Sequence, residues 1–399
     1  MKDIVILADF CGPLDGTHNS RFLYLGDLLA EAGHRVEIVT SDFDHGSKRY
    51  ITHEPEKHAY PITMLHEGAY PRNVCLRRFA GHAVWGRNVG KYLKQRKKPD
   101  AVLCAIPPLS APRKAAEYCA RNGIRFVTDI QDLWPEAFQM VLPLPAVSRV
   151  LLLPLTRMAD AVFSRADAVC AVSETYAARA LRVNRKGAEG TVVYLGTDLS
   201  AFDAYAAEEP PLRRETAEEK QEIWLAYCGT LGASYDLTCV INALARLPEE
   251  PVRLIAMGDG PRRAEFEAAA KRAGIRATFT GLLEYRKMCA LLARCDLTVN
   301  PITHGAAQSV INKHADYAAA GLPVVSTQEN AEYRNLVEKY RMGFNCANGD
   351  DAELADRIRT LIRDEALRKE MGRNARRCAE EVFDRRRSYQ KLVKAVLGE

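Results

Sequence analysis

No CxxC pair occurs among the 399 residues, although eleven cysteines are scattered singly through them: Cys11, Cys75, Cys104, Cys119, Cys170, Cys228, Cys239, Cys289, Cys295, Cys346 and Cys378. An odd, unpaired set argues against a disulfide framework and for reduced thiols in a cytosol, mostly buried as small apolar side chains. No apolar run reaches the roughly 20 uninterrupted residues that a membrane-spanning helix needs. The most apolar stretch, 138–163, is broken by Pro143, Pro145 and Pro154 and by Arg149 and Arg157. Neither GxGxxG nor GxxxxGK[ST] is present, so the usual dinucleotide and P-loop fingerprints are absent. No set of His, Cys and carboxylates stands at metal-ligand spacing, so no essential metal is expected. Internal repeats and low-complexity tracts are also missing. The opening MKDIVILADF has no basic n-region or long apolar h-region, which points to a cytoplasmic rather than a secreted protein.

What is present is an alternation. Apolar, β-branched runs at 3–9, 35–42, 100–106, 125–130, 168–173, 191–196, 223–229, 252–258, 277–281, 297–302 and 322–327 are separated by amphipathic stretches. Continuous apolar strands divided by helices indicate parallel sheets covered on both faces. With 47% apolar and 27% charged residues the chain is an ordinary globular one, but it is too long for a single core. The expected fold is α/β, two Rossmann-like doubly wound parallel-sheet domains facing across a cleft. The first spans 1–197. A charged, proline-containing linker follows at 198–222, then a second domain at 223–384. A last helix at 385–399 is expected to pack back towards the first domain.

Net charge is +5, and the basic excess lies in the first half, concentrated at Arg72, Arg77, Arg78, Arg87, Lys91, Lys94, Arg96, Lys97 and Lys98. This stretch reads either as a solvated helix face or as a surface for anionic lipid or polyphosphate. The 138–163 stretch is either core or an apolar surface dipping into a membrane interface beside it.

Chemistry-bearing residues gather where strands end, the usual ligand side of open α/β sheets. The turn after the first strand holds Gly12, Pro13 and Gly16 before a helix capped near Asn19 or Ser20, with Arg21 in its first turn; such a loop either binds an anion or simply connects. TDIQDLWPEAF (128–138) concentrates Asp129, Gln131, Asp132, Trp134 and Glu136, either as a site or as a helix cap with a packed Trp. In the second half, Gly229, Thr230, Leu231, Gly232 and Tyr235 follow one strand and Gly258 and Gly260 the next, where backbone amides can receive a diphosphate. Leu282 and Leu283 sit at a third such turn, and His304 follows a fourth strand. Then QSVINKHADYAAAGLPVVST (308–327) places Lys313 in the first turn of a helix, where an ammonium opposes the macrodipole unless an anion is near. Asp316 lies one turn on, close enough for an ordinary salt bridge.

The ordered set resembles the family 4 retaining glycosyltransferases of the GT-B fold, in particular the bacterial branch that builds O-antigen, capsule and other lipid-linked glycans. The residues that carry the likeness are Gly33-His34, Asp132-Leu133-Trp134-Pro135-Glu136, YLGTDLSAF (194–202), Gly229-Thr230-Leu231-Gly232, Met257-Gly258-Asp259-Gly260-Pro261 and Asn312-Lys313 with Asp316-Tyr317, Ala319-Ala320-Gly321 and Pro323-Val324-Val325. The resemblance implies a nucleotide diphosphate sugar, UDP-linked, as co-substrate, with no metal or other cofactor, and a polyprenyl-diphosphate-linked glycan acceptor. The basic 72–98 and apolar 138–163 stretches add an expected attachment to the anionic inner face of the cell membrane through the first domain; nucleic acid is not an expected partner. The family's Glu-x7-Glu pair falls on Gln308 and Asp316, assigning the donor sugar to the first and the ribose to the second. Ser309, Val310, Ile311 and Asn312 complete the donor side, with Lys313 as the cation at the diphosphate. Thr230 and Tyr235 stand where relatives carry Arg and Lys, and Gln131 where many carry His. Acid-base work therefore falls to Asp132, Glu136 or His304, or to the substrate itself. Gly16, Asn19, Arg21, Asp129, Gln131 and Trp134 form the acceptor side. The alternatives are a GT-B nucleotide-sugar epimerase and a non-catalytic nucleotide-sugar-binding subunit.

Overall fold

The computed structural model describes residues 1–12, 14, 20–52, 58–73, 75–140, 150–305 and 310–399. The chain divides into two compact units, Met1–Tyr194 with Ser388–Glu399, and Leu195–Arg387. Residues 198–222 thus belong to the second unit, and they contain a helix, Leu199–Ala206.

The first unit carries strands β1 (Asp3–Leu7), β2 (Arg35–Ser41), β3 (Phe43–Asp44), β4 (Arg49–Tyr50), β5 (Ile62–Leu65), β6 (Ala101–Ile106), β7 (Arg125–Ile130), β8 (Ala168–Ala171) and β9 (Gly190–Val192). Seven of them form a parallel sheet in the order β5-β2-β1-β6-β7-β8-β9. β3 and β4 make a separate antiparallel pair. All six residues of β6 are buried, as a strand covered on both faces requires. The helix Arg21–Glu31 begins at Ser20, whose hydroxyl accepts the Leu23 N–H, so the cap is Ser20. Its Phe22, Leu25 and Leu29 join the core, as do Tyr389, Leu392 and Val396 of the last helix, Arg385–Leu397.

The second unit carries β10 (Ile223–Cys228), β11 (Val252–Met257), β12 (Ala277–Gly281), β13 (Leu297–Asn300), β14 (Val324–Ser326) and β15 (Gly343–Asn345), all parallel, in the order β12-β11-β10-β13-β14-β15. Its core gathers Leu225, Leu254, Val299 and Val325 from the sheet against Val240, Leu244, Phe266 and Ile358 from the helices.

The expected α/β class with two doubly wound parallel sheets is the observed one, and every strand of the alternation is present. Sequence reasoning missed β5, β15 and the β3–β4 pair, which are two to four residues long and too short for a periodic signal. All eleven cysteines are free, ten of them buried.

Candidate functional site

In the second unit β10 stands between β11 and β13, and the turns that follow these three strands bear directly on one another. Gly229 (φ 140°) donates its N–H to Met257 O at 2.9 Å, and the Leu231 N–H reaches Asp259 O at 2.9 Å. A Cβ on Gly258 would collide with the Gly229 carbonyl, and one on Gly260 with that of Leu231. These two glycines therefore serve backbone-to-backbone packing of the turns, where the sequence suggested close approach of a ligand. Tyr235 pairs with Ile302, and the Thr303 hydroxyl donates to Ala233 O at 2.8 Å, tying the Gly229–Tyr235 turn to the end of β13.

Lys313 lies in the first turn of the helix Asn312–Ala319, whose residues are buried from Lys313 onward. Its side chain is inside this packing rather than in solvent. Nζ stands 3.7 Å from the centroid of the Tyr235 ring and 4.5 Å from that of Tyr227, and has no hydrogen-bond partner among the described residues. Burial pushes its pKa down to about 7. Aromatic faces compensate part of the desolvation of a cation, but a buried ammonium without an oxygen partner is an expensive arrangement. A Cβ at Gly229 would meet this Nζ at 3.5 Å, so the ammonium borders the first strand-end turn.

Asp316 has a different neighbourhood. Its Oδ1 accepts the Tyr285 hydroxyl at 2.8 Å, and that hydroxyl also bonds Thr197 at 2.8 Å. Burial pushes its pKa up to about 6, against the opposing effects of Tyr285, Thr197 and the Arg385 charge. No ion pair joins Lys313 to Asp316 among the described residues, so the salt bridge allowed by their spacing does not form. Between them His314 is stacked on Tyr333, with centroids 3.6 Å apart, and accepts the Ile311 N–H at 3.1 Å. Val310 is buried, Ile311 half-buried and Asn312 exposed. Leu282 is exposed and Leu283 half-buried at the turn preceding Tyr285. Gln308 and Ser309 lie outside the described residues. His304 is exposed and paired through Nδ1 with Glu329 at 2.7 Å.

In the first unit the acceptor-side set resolves into two arrangements. Arg21 and Asp129 are consumed by each other: Nε and Nη2 of the guanidinium reach the two carboxylate oxygens at 2.7 and 2.8 Å, fully buried, and Nη1 bonds Tyr194 O and the Tyr389 hydroxyl. Sequence reasoning read them as acceptor contacts; bidentate pairing instead makes them a strut between the first helix and β7. Gln131 Nε2 leans on the same carboxylate at 3.4 Å. Glu136 is held by Arg179, which also donates to Asp160 at 2.8 Å. Asp132 is half-buried and keeps a raised pKa through burial, moderated by the Leu133 N–H and by Arg78. Trp134 packs against Phe79, Phe138 and His82, with the Arg78 guanidinium 4.8 Å from its ring. Gly16 and Asn19 lie outside the described residues.

Two cations of the basic stretch are turned inward: Arg78 onto this aromatic group, and Arg96 onto Asp3 and Glu37 at 2.9 and 3.0 Å. The other seven are exposed. Of 138–163, residues 141–149 lie outside the described part; Val150, Leu151 and Leu153 expose their side chains, and no helix among the described residues is long and apolar enough to cross a membrane. Sequence reasoning missed Tyr227, Tyr285, Thr197, Arg78 and Arg179 as members of these groups. Thr197 lay within a quoted motif, whereas Tyr227 sits inside a strand and read as core.

Residues 222–364 match the family model described as glycosyl transferases group 1, and residues 19–201 that of Glycosyltransferase Family 4. The Escherichia coli (strain K12) glycosyl transferase WcaI, named for colanic acid biosynthesis, is 25% identical over 317 residues, 76% of this chain and 75% of its own length. Sulfoquinovosyl transferase SQD2 of Arabidopsis thaliana is 26% identical over 200 residues, 49% of this chain but only 38% of that protein. Among solved structures, Anabaena HepE in complex with UDP superposes with a TM-score of 0.71 over 100% of both chains at 18% identity. WaaG, a glycosyltransferase involved in lipopolysaccharide biosynthesis, gives 0.68 at 19% identity over 99% of this chain and 100% of its own.

Proposed function

We propose, for a chain that is a glycosyltransferase of the GT-B fold and the family 4 type, that it moves a sugar with retention from a UDP-sugar to a polyprenyl-diphosphate-linked glycan in bacterial surface polysaccharide assembly. The observation that carries the donor half of this reading is the buried Lys313 ammonium beside the Gly229–Tyr235 turn, without a hydrogen-bond partner among the described residues. Breaking a glycosyl–diphosphate bond develops negative charge on the departing phosphate, and a cation already desolvated and held in place stabilises that charge without reorganisation. Lys313 takes the role that Arg and Lys at positions 230 and 235 would otherwise fill. Asp316 accepts from the ribose hydroxyls, with Tyr285 and Thr197 orienting its carboxylate, and the donor-sugar role is assigned to Gln308. The backbone of Gly229–Gly232 and of 310–312 completes the donor side. In retaining transfer the acceptor hydroxyl attacks from the face of the leaving group and the phosphate oxygen takes its proton, so the step requires neither a protein nucleophile nor a metal.

The acceptor half rests on the first unit. WcaI is named for colanic acid and WaaG is described for lipopolysaccharide, which supports a surface-glycan acceptor. Exposed Lys94, Lys97 and Lys98, together with Val150 and Leu151, support attachment to an anionic membrane face. Asp132 stands nearest to an acceptor-side polar role, because Arg21, Asp129 and Glu136 are bound to one another or to Arg179.

A thermal-unfolding screen of UDP-, GDP-, ADP- and dTDP-sugars tests the reading. One UDP-sugar is expected to raise the melting temperature with a dose dependence set by its Kd. Stabilisation by a different nucleotide alone would remove the UDP assignment, and stabilisation by none would remove the donor site.

A further inference from the structure

We propose that the first unit binds a divalent transition-metal ion between Asp9, Glu67 and His82. Asp9 follows β1 by two residues, Glu67 follows β5 by two, and His82 projects from the helix Leu76–Gln95. One ligand atom from each lies within 4.8 Å of the other two. His82 Nε2 is 3.6 Å from Glu67 Oε1 and 3.9 Å from Asp9 Oδ2. Ligands at zinc-type distances of about 2.1 Å and tetrahedral angles stand roughly 3.4 Å apart, so the two imidazole–carboxylate spacings of 3.6 and 3.9 Å need to close by only about half an ångström or less to coordinate an ion.

The side chains of Asp9 and Glu67 are wholly buried and that of His82 is 4% exposed. Even so, beyond the contact between the two carboxylates themselves, both oxygens of Asp9, Oε1 of Glu67 and both ring nitrogens of His82 have no hydrogen-bond partner among the described residues. Buried polar atoms are normally satisfied, and two facing carboxylates need a positive charge between them. A shared proton would serve Asp9 and Glu67 but would leave His82 empty. The charge of the Arg78 guanidinium acts on both carboxylates, yet the group lies over the Phe10, Tyr70 and Trp134 rings and makes no ion pair with the cluster among the described residues. A metal ion satisfies all three side chains at once. The surroundings suit one: the Ser41 hydroxyl donates to Glu67 Oε2 at 2.7 Å and so fixes the carboxylate, while the Glu67 main-chain N–H donates to Asp42 Oδ1 at 2.9 Å and holds the backbone that carries it. One imidazole with two carboxylates favours zinc or manganese over calcium. Three protein ligands leave a coordination position, and Asp9 also borders a cavity of about 240 Å³ lined by Phe10, Cys11, Thr40, Ser41 and His45. The ion so placed belongs to the first unit.

The test uses the full chain, free of any affinity tag, stripped with EDTA and titrated calorimetrically with zinc chloride and cobalt(II) chloride. Saturable binding of one equivalent is expected, with a rise in melting temperature. The cobalt(II) complex should show d–d bands without a thiolate charge-transfer band. His82→Gln and Asp9→Asn should each weaken zinc at least tenfold while keeping the wild-type circular dichroism. Should either variant fail to fold, the cobalt spectrum of the wild type decides between this site and a cysteine site. No saturable zinc binding, a thiolate band, or undiminished affinity in both folded variants would overturn the proposal.

Discussion

The Lys313 ammonium rests 3.7 Å from the centre of the Tyr235 ring with no hydrogen-bond acceptor among the described residues, while Asp316, one helical turn away, is bonded to Tyr285. A cation so placed destabilises the protein that holds it, and that cost defines its own test. The folded pKa of about 7 lies below the unfolded value of 10.5, so the unfolded chain binds more protons between those limits. This group's contribution makes ligand-free stability rise with pH from about 7 towards 10.5 and stay at its lowest, nearly constant level below 7. Lys313→Met should flatten that part of the profile and raise the melting temperature at pH 6.5 by several degrees. A lower melting temperature in the variant would mean that the ammonium is satisfied in the free protein.

An arriving diphosphate restores the charged form of Lys313. At pH 8 the wild type should therefore take up a proton on binding UDP, measurable as a dependence of the calorimetric enthalpy on buffer ionisation heat. Lys313→Met should show much less uptake. Equal uptake in both proteins would move the titrating group elsewhere, Asp316 being the next nearest candidate.

Asp316→Asn keeps the shape of the side chain but removes the charge that receives two hydroxyls. A hydrogen bond to a charged group contributes about 1.5–3 kcal/mol, so nucleotide affinity should fall by roughly ten- to a hundredfold, with KM rising more than kcat falls. An unchanged KM for the nucleotide sugar would separate Asp316 from the ribose and leave it as a structural partner of Tyr285.

Arg21 and Asp129 should matter for folding first. Asp129→Ala leaves a guanidinium buried without its carboxylate, and breaking such pairs costs about 3–5 kcal/mol. Urea unfolding should show a loss of that order for Asp129→Ala and a much smaller one for Gln131→Ala, whose contact is 3.4 Å long. Equal effects of the two substitutions would contradict the strut.

Charge reversal at Lys94, Lys97 and Lys98 should reduce sedimentation with phosphatidylglycerol vesicles, each lysine contributing about 1 kcal/mol near the surface, and added salt should weaken the wild type likewise. Val150→Ser with Leu151→Ser should lower the salt-resistant remainder. Binding indifferent to both sets would remove the membrane reading.

The legible parts of the molecule were those whose physics is local. β6 and β10 announce themselves as six-residue apolar runs and β11 as one interrupted only by Arg253, and Lys313 stood out because an ammonium at a helix N-terminus is chemically misplaced. β5 and β15 did not, since short half-buried edge strands carry neither alternation nor a continuous apolar run. The pairing of Arg21 with Asp129 spans 108 positions, and Asp9, Glu67 and His82 come from three separate elements. Spacing rules reach only ligands on one element or one turn, so sequence reasoning saw polar residues at strand ends and could not tell which of them face each other. Gly258 and Gly260 were singled out for close approach to a diphosphate, whereas the backbone that approaches them is that of the neighbouring turn.

The most direct measurement is the affinity of UDP for the wild type and for Lys313→Met, by titration calorimetry at pH 7. If Lys313 is the cation of the donor diphosphate, the wild type binds and the variant, folded and of undiminished melting temperature, loses at least tenfold in Kd. UDP binding by the variant within twofold of the wild type would contradict the account.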